Sequence, residues 1–146
     1  MVKSRWFATV VVSGAFLAGF AFRGVVAPPA AQAQTANRVF EMRTYTAPPG
    51  RLEALKARFR DHTIKFFNKH GMTSIGYWTP LDAPASENTL TYILAYPSRE
   101  AAVKSWAAFN ADPEWQAVRK TSQADGPLVS GVTSVYMAPA DFSAIK

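Results

Sequence analysis

The groups in this chain with the types and spacing to do chemistry are two histidines, an acid and a base two residues apart, and a set of strand-borne aromatics. An imidazole titrates near neutral pH, so His62 and His70 are the side chains suited to general-base work. Each has a structural reading as well: His62 as a hydrogen-bonded core residue, His70 as the closing residue of a helix whose negative end favours an imidazole. Glu41, Arg43 and Tyr45 share one face of a strand, where guanidinium and phenol can orient an anionic or enolic group, or where the acid and base pair across an interface. Tyr77, Trp78, Tyr92 and Tyr96 either line an aromatic ligand cavity or form plain core.

Other chemistry is not signalled. The chain has no cysteine, which removes disulfides, thiolate metal sites and thiol nucleophiles. His62 and His70 lie two helical turns apart, about 12 Å along the axis, without an H-E-x-x-H pattern, so no metal site is expected. No G-x-S-x-G, P-loop or G-x-G-x-x-G occurs, and no cofactor is expected. An enzyme that needs no cofactor would leave none of these marks.

These groups must be positioned by whatever remains after the leader. Residues 1–33 read as a secretory signal: Lys3 and Arg5 precede an uncharged apolar run, Phe7 to Phe22, and Ala31-Gln32-Ala33 forms a cleavage site. The mature chain then starts near Gln34 and is exported, to the periplasm or the medium. The alternative is an anchor in the inner membrane made by residues 6–22, just short of the roughly 20 residues that span a bilayer. Three of the sixteen Lys and Arg lie in the leader and none of the ten acids do, leaving thirteen cations against ten acids, a net of +3. Those cations are scattered, so nucleic acid is not an expected partner despite the pI of 9.8. A membrane is one only if the leader is retained.

From Arg38 the pattern is regular. Arg38 to Tyr45 alternates as a strand, and Ala47-Pro48-Pro49-Gly50 stops it. Arg51 to Lys69 places Leu52, Leu55, Phe59, His62 and Phe66 at helical spacing, so His62 is expected to face the sheet. His70-Gly71 closes that helix. Thr73 to Thr79 and Thr89 to Tyr96 read as strands of a hairpin around the turn-rich Leu81 to Asn88. Ser98 caps a helix over Arg99 to Asn110 with Ala102, Val103, Trp106 and Phe109 on one side; Trp106 and Trp115 read as helix packing. Asp112-Pro113-Glu114-Trp115 starts a further helix, with Arg119 and Lys120 on its solvated face, and Asp125-Gly126-Pro127 ends it. Gly131 to Met137 is a last strand, and residues 139–146 are a tail.

The order β-α-β-β-α-β is the split βαβ of a ferredoxin-like α+β domain, one antiparallel sheet with helices on one face. If Phe40 and Met42 pack on the helices, then Glu41, Arg43 and Tyr45 point the other way, together with Trp78 and some of the strand tyrosines. A two-fold homodimer would cover so aromatic a face.

Three stretches in this order, FEMRTYTAPPGRLEAL, the His70 to Trp78 segment and ADPEWQAV (Ala111 to Val118), resemble the NIPSNAP domain, over residues 38–138. The resemblance implies a dimeric α+β barrel, a superfamily that includes cofactor-free monooxygenases and haem-degrading enzymes. It implies no general reaction for NIPSNAP domains themselves. Eukaryotic members are mitochondrial and linked to vesicular traffic and autophagy receptors, from which this chain departs in its export signal and single domain. Three readings follow: an exported homodimer binding a small hydrophobic or aromatic ligand or a protein partner; a cofactor-independent oxygenase or isomerase using His62 or His70 as base; and a structural dimer.

Overall fold

The computed structural model describes residues 38–146, so the expected leader at residues 1–33 lies outside the described residues. Strands β1 (Val39–Thr46), β2 (Thr73–Trp78), β3 (Thr89–Tyr96) and β4 (Gly131–Met137) form one sheet in the order β2-β3-β1-β4, every pair antiparallel. Between β1 and β2 run α1 (Leu52–Arg58), a π-helical turn (Phe59–Thr63) and α2 (Ile64–Lys69); between β3 and β4 run α3 (Arg99–Ala111) and α4 (Pro113–Ser122). This is the split βαβ arrangement, with the helices on one face of the sheet. Among the described residues no helix is long and apolar enough to cross a membrane.

The core between helices and sheet is aromatic. Phe67, fully buried, sits within 5.2–6.0 Å, centroid to centroid, of Phe59, Tyr92, Trp106 and Phe109. Leu55, Leu94, Met72 and Leu128 fill the space between the rings. Rings at such separations and mostly oblique angles gain from their quadrupoles as well as from burial.

The faces of β1 are the reverse of those expected. Glu41, Arg43 and Tyr45 point to the helices, while Phe40, Met42 and Thr44 lie on the open face. The hydrophobic-in rule fails here because Glu41 is supplied with enough hydrogen-bond donors to be buried, and because Leu90, Tyr92, Leu94 and Tyr96 of β3 already provide the apolar side of the core. Tyr77 and Tyr92 likewise face the helices, stacked on one another at 5.7 Å.

The histidine of α1–α2 is also displaced. His62 is exposed, not part of the sheet-facing stripe, and Thr63 is buried in its stead. The cause is the π turn: its i→i+5 bonding admits one extra residue, which rotates the apolar stripe by about a quarter turn relative to an unbroken α-helix. Thr63 Oγ1 donates to the Arg58 carbonyl at 3.2 Å, satisfying an acceptor beside the interrupted ladder. Phe66 and Phe67 then both face the core. In α3, Val103 also departs from expectation and is 59% exposed.

Element ends follow local chemistry. Ser98 Oγ accepts from the Ala101 amide, and Asp112 Oδ1 accepts from the Glu114 and Trp115 amides, with Pro113 opening the first turn. Gly71, at φ 74°, supplies the left-handed residue that ends α2.

The open face carries Met42, Thr91, Ile93, Val135 and Trp78. Trp78 lies against Gly76, where any Cβ would come within 2.6 Å of the indole, so only glycine lets the ring rest on the backbone. The tail, residues 138–146, folds back beside the end of this face, where Phe142 and Ile145, both exposed, line a groove together with Phe40, Ile75 and Met137.

The π turn makes adjacent residues respond oppositely to mutation. Thr63→Val removes a buried hydrogen bond and is expected to cost about 1–2 kcal/mol, while His62→Ala should stay within about 0.5 kcal/mol of the parent. Urea unfolding measures both; a large loss for His62→Ala would mean that the histidine belongs to the core.

Candidate functional site

Glu41 is the most heavily bonded side chain on the helix side of the sheet. Its Oε2 accepts from Trp106 Nε1 at 2.6 Å and from the Tyr96 hydroxyl at 2.8 Å; its Oε1 accepts from Ser134 Oγ at 2.6 Å and Arg43 at 2.7 Å. The carboxylate thus joins β1 to β3, β4 and α3 with no exposed surface of its own. Burial is the largest influence on it and works to raise its pKa, but the donors from Ser134, Trp106, Arg43 and Tyr96 outweigh burial and hold the carboxyl below its usual range. The Tyr96 phenol is pushed far up, first by burial and then by the Glu41 charge.

Arg43 leads from this knot into a cleft. Its guanidinium lies 4.2 Å from the Trp106 ring centroid and 5.6 Å from that of Tyr45, and its Nε, buried, has no partner. Arg58 of α1, Trp106, Phe109 and Asn110 of α3, Trp115, Arg119 and Gln123 of or just after α4, and Val132 of β4 complete the walls of a space of about 310 Å³. The size matches the lower range of small-molecule sites. Tyr92 packs behind Tyr45 at 5.3 Å, its hydroxyl buried and unpaired and its phenol pushed up by burial above all.

A second knot fixes one wall. Asp112 Oδ2 takes a 2.8 Å contact from Lys69 Nζ and another from His70 Nε2, while Oδ1 caps α4. The Lys69 bond first, then those of His70 and of the Trp115 and Glu114 amides, hold the Asp112 carboxyl well below the usual carboxylate range. His70 therefore ties the end of α2 to the start of α4.

Of the residues singled out in the sequence, Glu41, Arg43, Tyr45 and Tyr92 come together, while Tyr77 and Trp78 border a separate cleft of about 290 Å³ beside the π turn, with Lys56 and Arg60. Neither His62 nor His70 lines the Arg43 cleft. Sequence reasoning missed Trp106 as a polar partner, and Arg58 and Arg119 altogether as site residues. Arg58 did leave a signal: it stands three residues after Leu55 and next to Phe59, an inward position for a charged side chain. The cleft lining offers guanidinium, phenol, indole and amide groups but no imidazole or carboxylate, a set suited to holding a planar polar molecule. Among the described residues no three His, Asp or Glu side chains gather to hold a metal ion.

The sheet order and one-sided helices define a ferredoxin-like α+β domain of the split βαβ type. A family model described as NIPSNAP matches residues 40–144, and the chain belongs to the NIPSNAP family. It is similar to a solved NIPSNAP-like domain protein of Burkholderia xenovorans, 22% identical, TM-score 0.65, covering 74% of this chain and 90% of that one. A NIPSNAP family protein of unknown function from Agrobacterium tumefaciens is 23% identical, TM-score 0.65, covering 76% and 96%. A further Burkholderia xenovorans NIPSNAP domain protein is 25% identical, TM-score 0.60, covering 72% and 97%. The comparison with curated proteins finds no match.

Glu41 and Asp112 both have pKa values depressed by folding, so their stabilisation is complete above the unfolded carboxylate range, about pH 4, and is lost as pH falls through their folded values. Glu41→Gln removes the counter-charge of Arg43 and sets an amide among four donors, at an expected cost of about 3–5 kcal/mol. Denaturant titrations across pH 2–7 should show that loss at neutral pH and a shallower decline on acidification in the variant; parallel acid limbs would take Glu41 out of the acid response.

Proposed function

We propose that the protein is an exported homodimer whose protomers each bind a small aromatic or hydrophobic molecule in the Arg43 cleft, without itself catalysing a reaction. The observation that carries this reading is the cleft itself: about 310 Å³ between sheet and helices, walled by Tyr45, Trp106, Phe109 and Trp115. Aromatic walls with a few fixed polar groups are the usual composition of small-molecule sites. The leader supports export. The open face supports the homodimer, since Trp78 and Val135 are 49% and 44% exposed there beside Met42 and Ile93, and a two-fold partner would remove that surface from water.

The geometry favours binding over a cofactor-independent oxygenase or isomerase that relies on an imidazole base. His62 points to solvent, and His70 is held by Asp112 outside the cleft.

Native mass spectrometry of the protein taken from its own compartment, with denaturing release of bound molecules, is expected to give a dimer carrying one small molecule per protomer. Val135→Asp, which puts a charge on the open face, is expected to give monomers. A monomeric parent would overturn the assembly, and a dimer that never yields a stoichiometric molecule would overturn the ligand.

A further inference from the structure

The cleft holds more positive charge than the protein neutralises. Arg43 is paired with Glu41. Arg58 is not paired: it is only 7% exposed, it makes no ion pair or side-chain hydrogen bond among the described residues, and its buried Nε has no partner. Its guanidinium rests 5.6 Å from the Trp115 ring centroid, a modest compensation for lost hydration. Burial first, and the neighbouring charge of Arg119 among the further influences, weaken its hold on its proton. No carboxylate is among the main influences on it, and none lines the cleft. An unpaired guanidinium at an inward helix position is costly, and a methionine would fill the same volume without that cost.

We infer that the cleft takes an aromatic carboxylic acid, its carboxylate between Arg58 and Arg119 and its ring against the indoles of Trp106 and Trp115. The inference rests on the reading of this cleft as the ligand site and adds the ligand's chemical class. A guanidinium fork matches the two oxygens of a carboxylate, and a single negative charge relieves the repulsion between the two arginines. A doubly charged phosphate fits less well on two counts. Phe109 and Asn110 bring the last turn of α3, the negative end of its dipole, to the cleft wall. The first turn of α4, where an anion would find free amides, is already capped by Asp112.

The same geometry separates binding from stability. Arg58→Met removes an uncompensated buried charge, so it should raise the melting temperature of the unliganded protein while it weakens the ligand. Arg119→Gln changes an exposed residue, so it should move the melting temperature far less than Arg58→Met while it too weakens the ligand.

The test is calorimetric titration of the purified protein with 1-naphthoate and its neutral counterpart 1-naphthamide, at low and high salt, alongside 1-naphthyl phosphate. The expected result is naphthoate binding at least about tenfold tighter than naphthamide, as a charge-assisted contact requires. That margin should narrow with salt and disappear in Arg58→Met, which remains folded by thermal unfolding. Equal affinity for acid and amide would overturn the inference while leaving the cleft as a binding site. Failure of both to bind would overturn the site as well. Tighter binding of the naphthyl phosphate would replace the carboxylate with a phosphate ester.

Discussion

The burial of one carboxylate organises this domain. Glu41, the third residue of β1, collects hydrogen bonds from β1, β3, β4 and α3, so four elements share one charge. A buried carboxylate is tolerated only when such donors are supplied together, and each donor is thereby held in place. The consequence reaches the cleft directly. Trp106, fixed through its Nε1, offers its ring to Arg43, and Arg43, fixed through one nitrogen, lines the cleft. A hydrophobic residue at position 41 would pack, but it would fix neither the indole nor the guanidinium.

The opposite end of the helical layer is set by a second carboxylate. Asp112 begins α4 and at the same time holds the last residues of α2 through Lys69 and His70. Helices that share only side-chain packing can slide; helices joined through a cap have a fixed origin. Trp115 and Arg119 are counted from that origin, on successive turns of α4, and so arrive at the cleft together. The two acids of the site region are therefore structural, and the groups they position are cationic and aromatic.

How much of this was legible in the sequence differs by level. The bounds of β3, the caps at Ser98 and Asp112 and the glycine ending α2 follow from residue chemistry acting within a few positions, and the structure has them where the sequence placed them. The element order, and with it the fold class, was legible for the same reason. Faces and phases were not. Alternation in RVFEMRTY divides β1 into two sides without saying which is inward, and the usual guide reverses when a buried acid has enough donors. His62 was misplaced because a 3.6-residue period was assumed through a segment that winds differently. Arg58 could be noticed as out of keeping with its neighbours, but only three-dimensional packing reveals that no acid answers it.

Arg38 and Lys146 meet at the edge of the open face, where the Arg38 guanidinium reaches the last carbonyl at 3.4 Å. The described chain thus begins and ends at one corner. Any attachment at either terminus, whether a retained leader or an engineered fusion, would suspend the domain from that corner. The Arg43 cleft opens on the other side of the sheet, between the helices. Tethering and ligand access would then use different faces, and the domain could be fastened to a surface without closing its cleft.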